Sequence, residues 1–291
     1  MYSLKDYHYH LPPGLIAQQP VDQRDRSNLL CLNRQTGDVT HHRFNAIGDF
    51  LHPGDVLVTN NTAVIHARLE GRKETGGQIE VLIADYNGGL QSIRDSGDFV
   101  CQCLVKASKR PVPGTRIYFE EDLTAEVLTS CNETHTLKFS TGDDFEKVLD
   151  RIGKVPLPPY IHRNPDKVAS VDDGCAYQTV YASHKGAIAA PTAGLHFTEK
   201  LLDKLIASGL KIAPLTLHVG IGTFLPVRSD DIRQHAMHSE SFAISDESAE
   251  IINSARADVK KIIAVGTTCV RTLEYASNGR GEVAAGSGSC D

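Results

Sequence analysis

The chain of 291 residues is 41% hydrophobic and 23% charged, long enough to bury a full core and to divide into two domains. Its net charge of −6 excludes a globally basic, polyanion-coating surface and leaves room for a local basic patch. The opening Met1-Tyr2-Ser3-Leu4 carries no signal-peptide apolar run, no segment approaches membrane-span length, and seven cysteines without framework spacing point to a reduced, cytoplasmic protein.

In chain order, the first seventy residues read as mixed α/β. A short apolar strand at 28–33, the turn Gln35-Thr36-Gly37-Asp38 and a returning strand at 39–44 come first. The turn His52-Pro53-Gly54-Asp55 feeds a buried-looking strand at 56–59, which Asn60-Asn61-Thr62 interrupts before an extended run at 64–69. Between Gly71 and Lys154 the character shifts to short β-rich runs at 78–84, 98–105, 115–119, 123–128 and 134–139, separated by turn residues. Such spacing predicts a small β-barrel inserted at 71–154, with Cys101 and Cys103 packed on one face of a strand. From Pro156 onward α/β alternation returns. Thr198 is placed to cap a helix with apolar face Leu201, Leu202, Leu205 and Ile206 and a stop at Gly209, followed by a strand at 210–217. Ser245-Asp246-Glu247 opens a second helix, and an apolar strand at 262–265 leads through Gly266 into a third from Thr267. The tail Gly286-Ser287-Gly288-Ser289 reads as low complexity. The fold class expected is therefore α/β: a discontinuous domain of residues 1–70 and 155–291, with a parallel-sheet or barrel-like layer covered by helices, interrupted by the small β-barrel.

Two stretches stand out. In 190–197, and again in 217–224, glycines, a threonine and a histidine are set between apolar anchors, so that backbone approaches a ligand while His196 or His218 offers a titratable group near neutrality. Taken singly, each histidine also reads as an ordinary hydrogen-bonded structural one. The strand–Gly-Thr-Thr–helix at 262–271 offers helix N–H groups, hydroxyls and Arg271 to an anion, or else is a plain strand–helix connection. It lacks the paired glycines of a dinucleotide fingerprint. His235 and His238 are spaced to share a helical face and mimic a metal pair, without a third ligand at convincing spacing. His8, His10, His41 and His42 read as exposed. Lys106, Lys109 and Arg110 form the densest basic cluster, either a solvated turn or a phosphate contact. The proline-rich Gly153-Lys154-Val155-Pro156-Leu157-Pro158-Pro159-Tyr160-Ile161 either walls a site or stiffens the return from the inserted domain.

At these residues the chain resembles the S-adenosylmethionine:tRNA ribosyltransferase-isomerases of queuosine biosynthesis. The matching blocks are NNTAVIHARLEGRK from Asn60, GKVPLPPYI from Gly153, YQTVYA from Tyr177 and GAIAAPTAGLHFT from Gly186. LTLHVGIGTFLPVR from Leu215, HAMHSE from His235 and IIAVGTTCVRTLE from Ile262 complete the set, in family order. The resemblance implies an α/β barrel-like catalytic domain interrupted by a small β-barrel. It also implies transfer and isomerisation of the ribosyl part of S-adenosylmethionine onto a 7-aminomethyl-7-deazaguanine in tRNA, giving epoxyqueuosine, adenine and methionine. S-adenosylmethionine is the implied co-substrate, with no metal. The implied partner is a tRNA with a GUN anticodon carrying the precursor base, with a monomeric chain and no membrane. A sulfonium acidifies its neighbouring C5′ hydrogen, so one placed base can start the rearrangement. His196 or His218 is then expected to move the proton. Thr192, Gly194, Phe197, Gly220, Gly222 and Thr223 are expected to line the co-substrate. Thr267, Thr268 and Arg271 are expected to hold its methionine carboxylate or a tRNA phosphate, and Lys106, Lys109 and Arg110 to contact nucleic acid. Family members continue through a Tyr-Pro-Gly segment and a TNFHLP block that are not in this sequence, which implies a pocket short of one wall. Two other readings are a noncatalytic tRNA-binding remnant and a hydrolase built on the His235/His238 pair with a metal.

Overall fold

The structure, a computed structural model, describes residues 2–131, 134–163 and 171–291. Six antiparallel strands, Arg68–Lys73, Gln78–Ile83, Phe99–Ala107, Arg116–Tyr118, Thr124–Cys131 and Thr134–Ser140, close into the barrel that the turn spacing predicts. Alternation fixes its interior. Ile79, Val81 and Ile83 point inward from one strand and Phe99, Cys101 and Cys103 from the next, all buried. The Cys101 and Cys103 sulfurs sit 3.6 Å apart on that inner face.

Two helices in this region are absent from the sequence reading. Tyr86–Ser96 contains Gly88 and Gly89, which argue against a helix by propensity. Termini and packing override that. Asp85 caps Gly88 N–H at 2.9 Å, Gly97 closes the helix in the left-handed region at φ 81°, and Gly89 leaves room for the Phe99 ring. Phe145–Ile152 is capped by Asp144 and lays Phe145 on Phe99, ring centroids 3.9 Å apart.

The larger domain is built on a five-stranded sheet in the order Ile262–Ala264, Val56–Asn60, Lys211–Leu217, Glu240–Ile244, Gly286–Cys290. The first three are parallel and the last two antiparallel. Among the described residues this layer is an open, partly parallel sheet, one of the two forms expected. Every residue of Val56–Asn60 is buried because both sheet faces are covered. Val56 and Val58 pack with Ile252 and Cys269 beneath the helices Asp246–Ala257 and Thr267–Ala276. On the other side Leu57 meets Leu201, Leu202 and Leu205 of the helix Glu199–Ala207. That helix starts as expected, with Thr198 Oγ1 accepting from Leu201 N–H at 3.1 Å, and ends at Gly209, φ 93°. Ile206 is half exposed, because the buried stripe turns away after Leu205.

The tail, low in complexity, forms the edge strand Gly286–Cys290, paired from Glu240↔Cys290 to Ile244↔Gly286. Its pairing is a matter of backbone, so glycine and serine suffice, and Gly288 clears the Phe242 ring.

Asp55 ties two parallel strands at their entry. Its buried carboxylate accepts the backbone N–H groups of His52 and Lys261, each at 2.9 Å. Burial alone pushes this carboxyl up, but those two N–H groups and the Lys261 charge outweigh it and hold the pKa below the usual aspartate value. The stabilisation is therefore present above the ordinary carboxylate range and is lost as pH falls through the lower folded value. Replacing Asp55 with alanine is expected to cost about 2–3 kcal/mol at pH 7, since two buried donors lose their acceptor. Urea unfolding at pH 7 and at pH 3 checks this, with the gap between parent and variant shrinking at the acid end.

Candidate active site

Three parallel strands point their carboxyl ends the same way, and the motifs emerge there. In open α/β sheets that edge is where ligands bind. Val56–Asn60 ends in Asn60-Asn61-Thr62, and the structure shows why it is interrupted. Asn60 Oδ1 accepts from Thr62 N–H and Leu217 N–H, both at 3.1 Å, while its Nδ2 donates to Leu217 O at 3.0 Å. Asn61 Oδ1 accepts from Thr216 Oγ1 at 2.7 Å. These amides lock neighbouring strand ends together, so that Thr62 Oγ1 meets His218 Nδ1 at 2.8 Å. Gly186, at φ 151°, passes so close that a Cβ there would lie 2.7 Å from His218 Nδ1. Burial, and then the neighbouring His184, push the His218 pKa below the ordinary imidazole value.

His196 lies elsewhere. It closes the short helix Thr192–His196, pairs through Nδ1 with Ser27 Oγ at 2.9 Å and packs on Phe44. Burial lowers its pKa too, partly offset by a backbone hydrogen bond at Arg24. Phe197 is in the core, its ring edge-on to Phe44 at 4.9 Å, and Gly194 is buried where a Cβ would strike the Tyr181 hydroxyl. Both serve packing beneath the turn.

Two hollows flank the short helix Ile221–Phe224, which is seated where the barrel core and the α/β core meet. One, of about 600 Å³, is walled by Pro156, Pro158, Pro159, Tyr160, Tyr177, Ala189, Ala190, Thr192, Phe224 and Pro226. The other, of about 470 Å³, is walled by Val219, Gly222, Val227, His235, Met237, His238, Glu240, Thr267, Thr268, Arg271 and Asp291. Thr223 and Leu225 border both. Thr192, Gly222, Thr223, Thr267, Thr268 and Arg271 thus come together around one paired cavity.

Arg271 is less available than its spacing suggests. It donates to Glu240 Oε2 at 2.5 Å, His238 O at 2.6 Å and Cys290 O at 2.8 Å, leaving Nε buried without a partner. Glu240, 7% exposed, also accepts Gly220 N–H at 2.8 Å. Sequence reasoning missed this glutamate as a site residue. Its only signal was its place at the end of the HAMHSE block. Thr268 Oγ1 is likewise buried and unpartnered, at the start of the helix Thr267–Ala276, which has no side-chain cap. His235 and His238 stand on extended chain after the short helix Ile232–Gln234, not on a shared helical face. Among the described residues no group of three or more His, Cys, Asp and Glu converges as a ligand set for a metal ion.

Lys106, Lys109 and Arg110 are exposed on the barrel, at the end of Phe99–Ala107 and in the turn beyond. Lys106 borders an open groove of about 1090 Å³ whose lining mixes Glu70, Glu80 and Glu120 with Arg72 and Lys106. The chemistry-bearing motifs lie in the smaller paired cavity instead.

The fold defines an α/β protein with a β-barrel inserted in it, and six of the expected site residues border two neighbouring hollows. The profile of the family described as "Queuosine biosynthesis protein" matches residues 4–291, and the chain belongs to that family. It is 48% identical to the S-adenosylmethionine:tRNA ribosyltransferase-isomerase of Syntrophotalea carbinolica over 99% of its own length and 81% of that protein's. The enzyme of the same name from Geotalea uraniireducens is 46% identical over the same shares. A crystal structure of the S-adenosylmethionine tRNA ribosyltransferase of Thermotoga maritima is 32% identical, over 93% of this chain and 72% of that one, with a TM-score of 0.41. No helix among the described residues is long and apolar enough to cross a membrane.

Proposed function

We propose that this chain transfers and isomerises the ribosyl part of S-adenosylmethionine onto 7-aminomethyl-7-deazaguanine in a tRNA with a GUN anticodon, releasing adenine and methionine. The observation that carries this reading is identity of 44–48% to relatives of that name across nearly the whole chain. The two hollows beside Ile221–Phe224 support it, because Thr192, Thr223, Thr267, Thr268 and Arg271 border them. When bound, the co-substrate's sulfonium supplies the transferable ribosyl group and an acidified C5′ hydrogen. Thr268 and Arg271, which border one hollow, are the groups proposed for the amino-acid end, with Thr267 at the same helix start. Thr192, Gly222 and Thr223 border the remainder.

His218 is the proton acceptor in this reading. Its Nδ1 is held by Thr62, which fixes the ring, and its lowered pKa keeps it neutral at physiological pH. Gly220 shapes the following turn through Glu240. His196, Gly194 and Phe197 support the wall from behind. Lys106, Lys109 and Arg110 offer a sequence-independent contact for tRNA phosphates from the barrel. We take residues 1–70 with 155–291 as one catalytic body around the insertion at 71–154, monomeric and cytoplasmic.

Incubating the full chain with S-adenosylmethionine and precursor-bearing tRNA, then measuring adenine by chromatography and the modified nucleoside by mass, tests the reading. Epoxyqueuosine with equimolar adenine is the expected result. tRNA binding without adenine release overturns it in favour of a noncatalytic binder.

A further inference from the structure

The strand Thr62–Val64 pairs in parallel with His184–Ala187, with Thr62 opposite His184. Asn61 O accepts from Ser183 N–H at 2.8 Å and from His184 N–H at 3.2 Å, so the backbone alone delivers the second strand to the Thr62 side chain. Asn60 Oδ1 holds Thr62 from the other direction through its N–H. The hydroxyl so placed belongs to a fully buried residue and lies between two partners. These are His218 Nδ1 at 2.8 Å and the backbone carbonyl of His184 at 3.4 Å.

We infer that Thr62 is a positioning residue that fixes the tautomer of His218: its hydroxyl donates to His184 O and accepts from Nδ1–H, which leaves Nε2 as the basic nitrogen. Proton counting carries the assignment. A hydroxyl has one proton to give, and a carbonyl oxygen only accepts. Given to His184 O, that proton leaves a lone pair facing Nδ1, and a hydrogen on Nδ1 completes a second bond. Given to Nδ1, it makes one bond and leaves the carbonyl contact empty. Thr62 is shut off from solvent, so the arrangement with two bonds is favoured over the arrangement with one.

The ring cannot evade the choice by turning. A Cβ at Gly186 would lie 2.7 Å from Nδ1, 2.8 Å from Cε1 and 3.0 Å from Cγ, so the glycine backbone packs directly on this edge of the imidazole. Turning the ring over would set a C–H against the Thr62 oxygen and forfeit the 2.8 Å contact. The hydrogen bond that one ring nitrogen makes sets the protonation of the other. A proton accepted by His218 therefore forms its new bond at Nε2, while the electron pair of the broken C–H bond stays on carbon. The imidazolium that results keeps its Nδ1–H on Thr62.

The catalytic part of this assignment rests on the proposed function, and the experiment separates the two. Nitrogen-15 NMR of histidine-labelled protein distinguishes a protonated ring nitrogen from a bare one. His218→Ala identifies the His218 signals among those of the 13 histidines. Recorded well above the ordinary imidazole pKa of about 6.5, the parent chain is expected to carry its proton on Nδ1 and none on Nε2. Thr62→Val keeps the shape and removes the hydroxyl, so it is expected to move the proton toward Nε2. It should lower kcat for adenine release roughly tenfold or more, with KM changed less than about twofold. Thr62→Ser keeps the hydroxyl and is expected to restore the parent spectrum and most of the turnover. Circular dichroism checks the fold of both variants, and if Thr62→Val does not fold, the parent spectrum and Thr62→Ser decide. A parent-like spectrum for Thr62→Val overturns the assignment, and so do equal losses of turnover in the two variants. A parent chain that releases adenine with its proton on Nε2 refutes the tautomer and not the function. A parent chain with the proton on Nδ1 that releases no adenine refutes the function and leaves the tautomer standing.

Discussion

Replacing His218 with alanine is expected to lower adenine release by about 10²–10⁴-fold, the usual contribution of a positioned acid–base group, with folding retained. Of the two histidines that the sequence left open, His218 is the one proposed as proton acceptor. His218 follows a parallel strand at its carboxyl end, is oriented by the Thr62 hydroxyl and opens the chain segment that runs to the shared wall of both chambers. His196 is held against Ser27 and Phe44, on the side of the sheet that packs on the helix Glu199–Ala207. His196→Ala should lose stability more than turnover. The acid limb of kcat gives an independent reading. A base must be neutral to act, and burial followed by the charge of His184 lowers the His218 pKa. The limb should therefore lie below the ordinary imidazole value of about 6.5. His184→Gln removes the repelling charge and should move it upward. Near-normal adenine release by the His218 variant would remove this residue from the mechanism.

The second large effect is expected at Glu240. Its carboxylate joins Gly220 N–H to the Arg271 guanidinium, and Arg271 carries the connection on to His238 O and Cys290 O. Glu240→Ala strands a guanidinium that is only 19% exposed, a loss of about 3–5 kcal/mol for breaking a buried pair from one side. It also frees the Gly220 turn, so catalysis should fall even in molecules that remain folded. Glu240→Gln keeps an acceptor for Gly220 and loses the charge facing Arg271, so it should recover part of the stability and more of the turnover. Urea unfolding and adenine release, measured on both variants, separate the two contributions. Equal losses for alanine and glutamine would reduce the role of Glu240 to charge pairing alone.

What the sequence disclosed follows from how local each signal is. The caps at Thr198 and Ser245, the Gly209 stop and the alternation of Ile79, Val81 and Ile83 are decided within a few residues, and they are readable. Helix Tyr86–Ser96 is hidden, because Gly89 is justified only by the Phe99 ring on the following strand and Gly88 by the cap at Asp85. Strand Gly286–Cys290 is hidden for the opposite reason: backbone pairing leaves no side-chain pattern to read. At the site, spacing finds the threonines and Arg271, and six of the expected lining residues do border the paired cavity. Phe197 and Gly194 are neighbours of site residues in sequence, yet the chain turns their positions into the core. Glu240 escapes because its two partners, Gly220 and Arg271, lie twenty and thirty-one residues away on separate elements.

The seam between barrel and sheet also bears on how the chain reaches its fold. Arg68 and Lys154 exchange backbone hydrogen bonds at 3.0 and 2.8 Å, so the barrel's entry and exit are stitched side by side. The pairing of Val56–Asn60 with Lys211–Leu217 must otherwise close a loop of about 150 residues, and a barrel formed first shortens that loop to about 65. By loop-closure entropy this lowers the cost of the central strand pairing by about 0.7 kcal/mol. Formed first, the insertion would hold the distant halves of the parallel sheet within reach of each other.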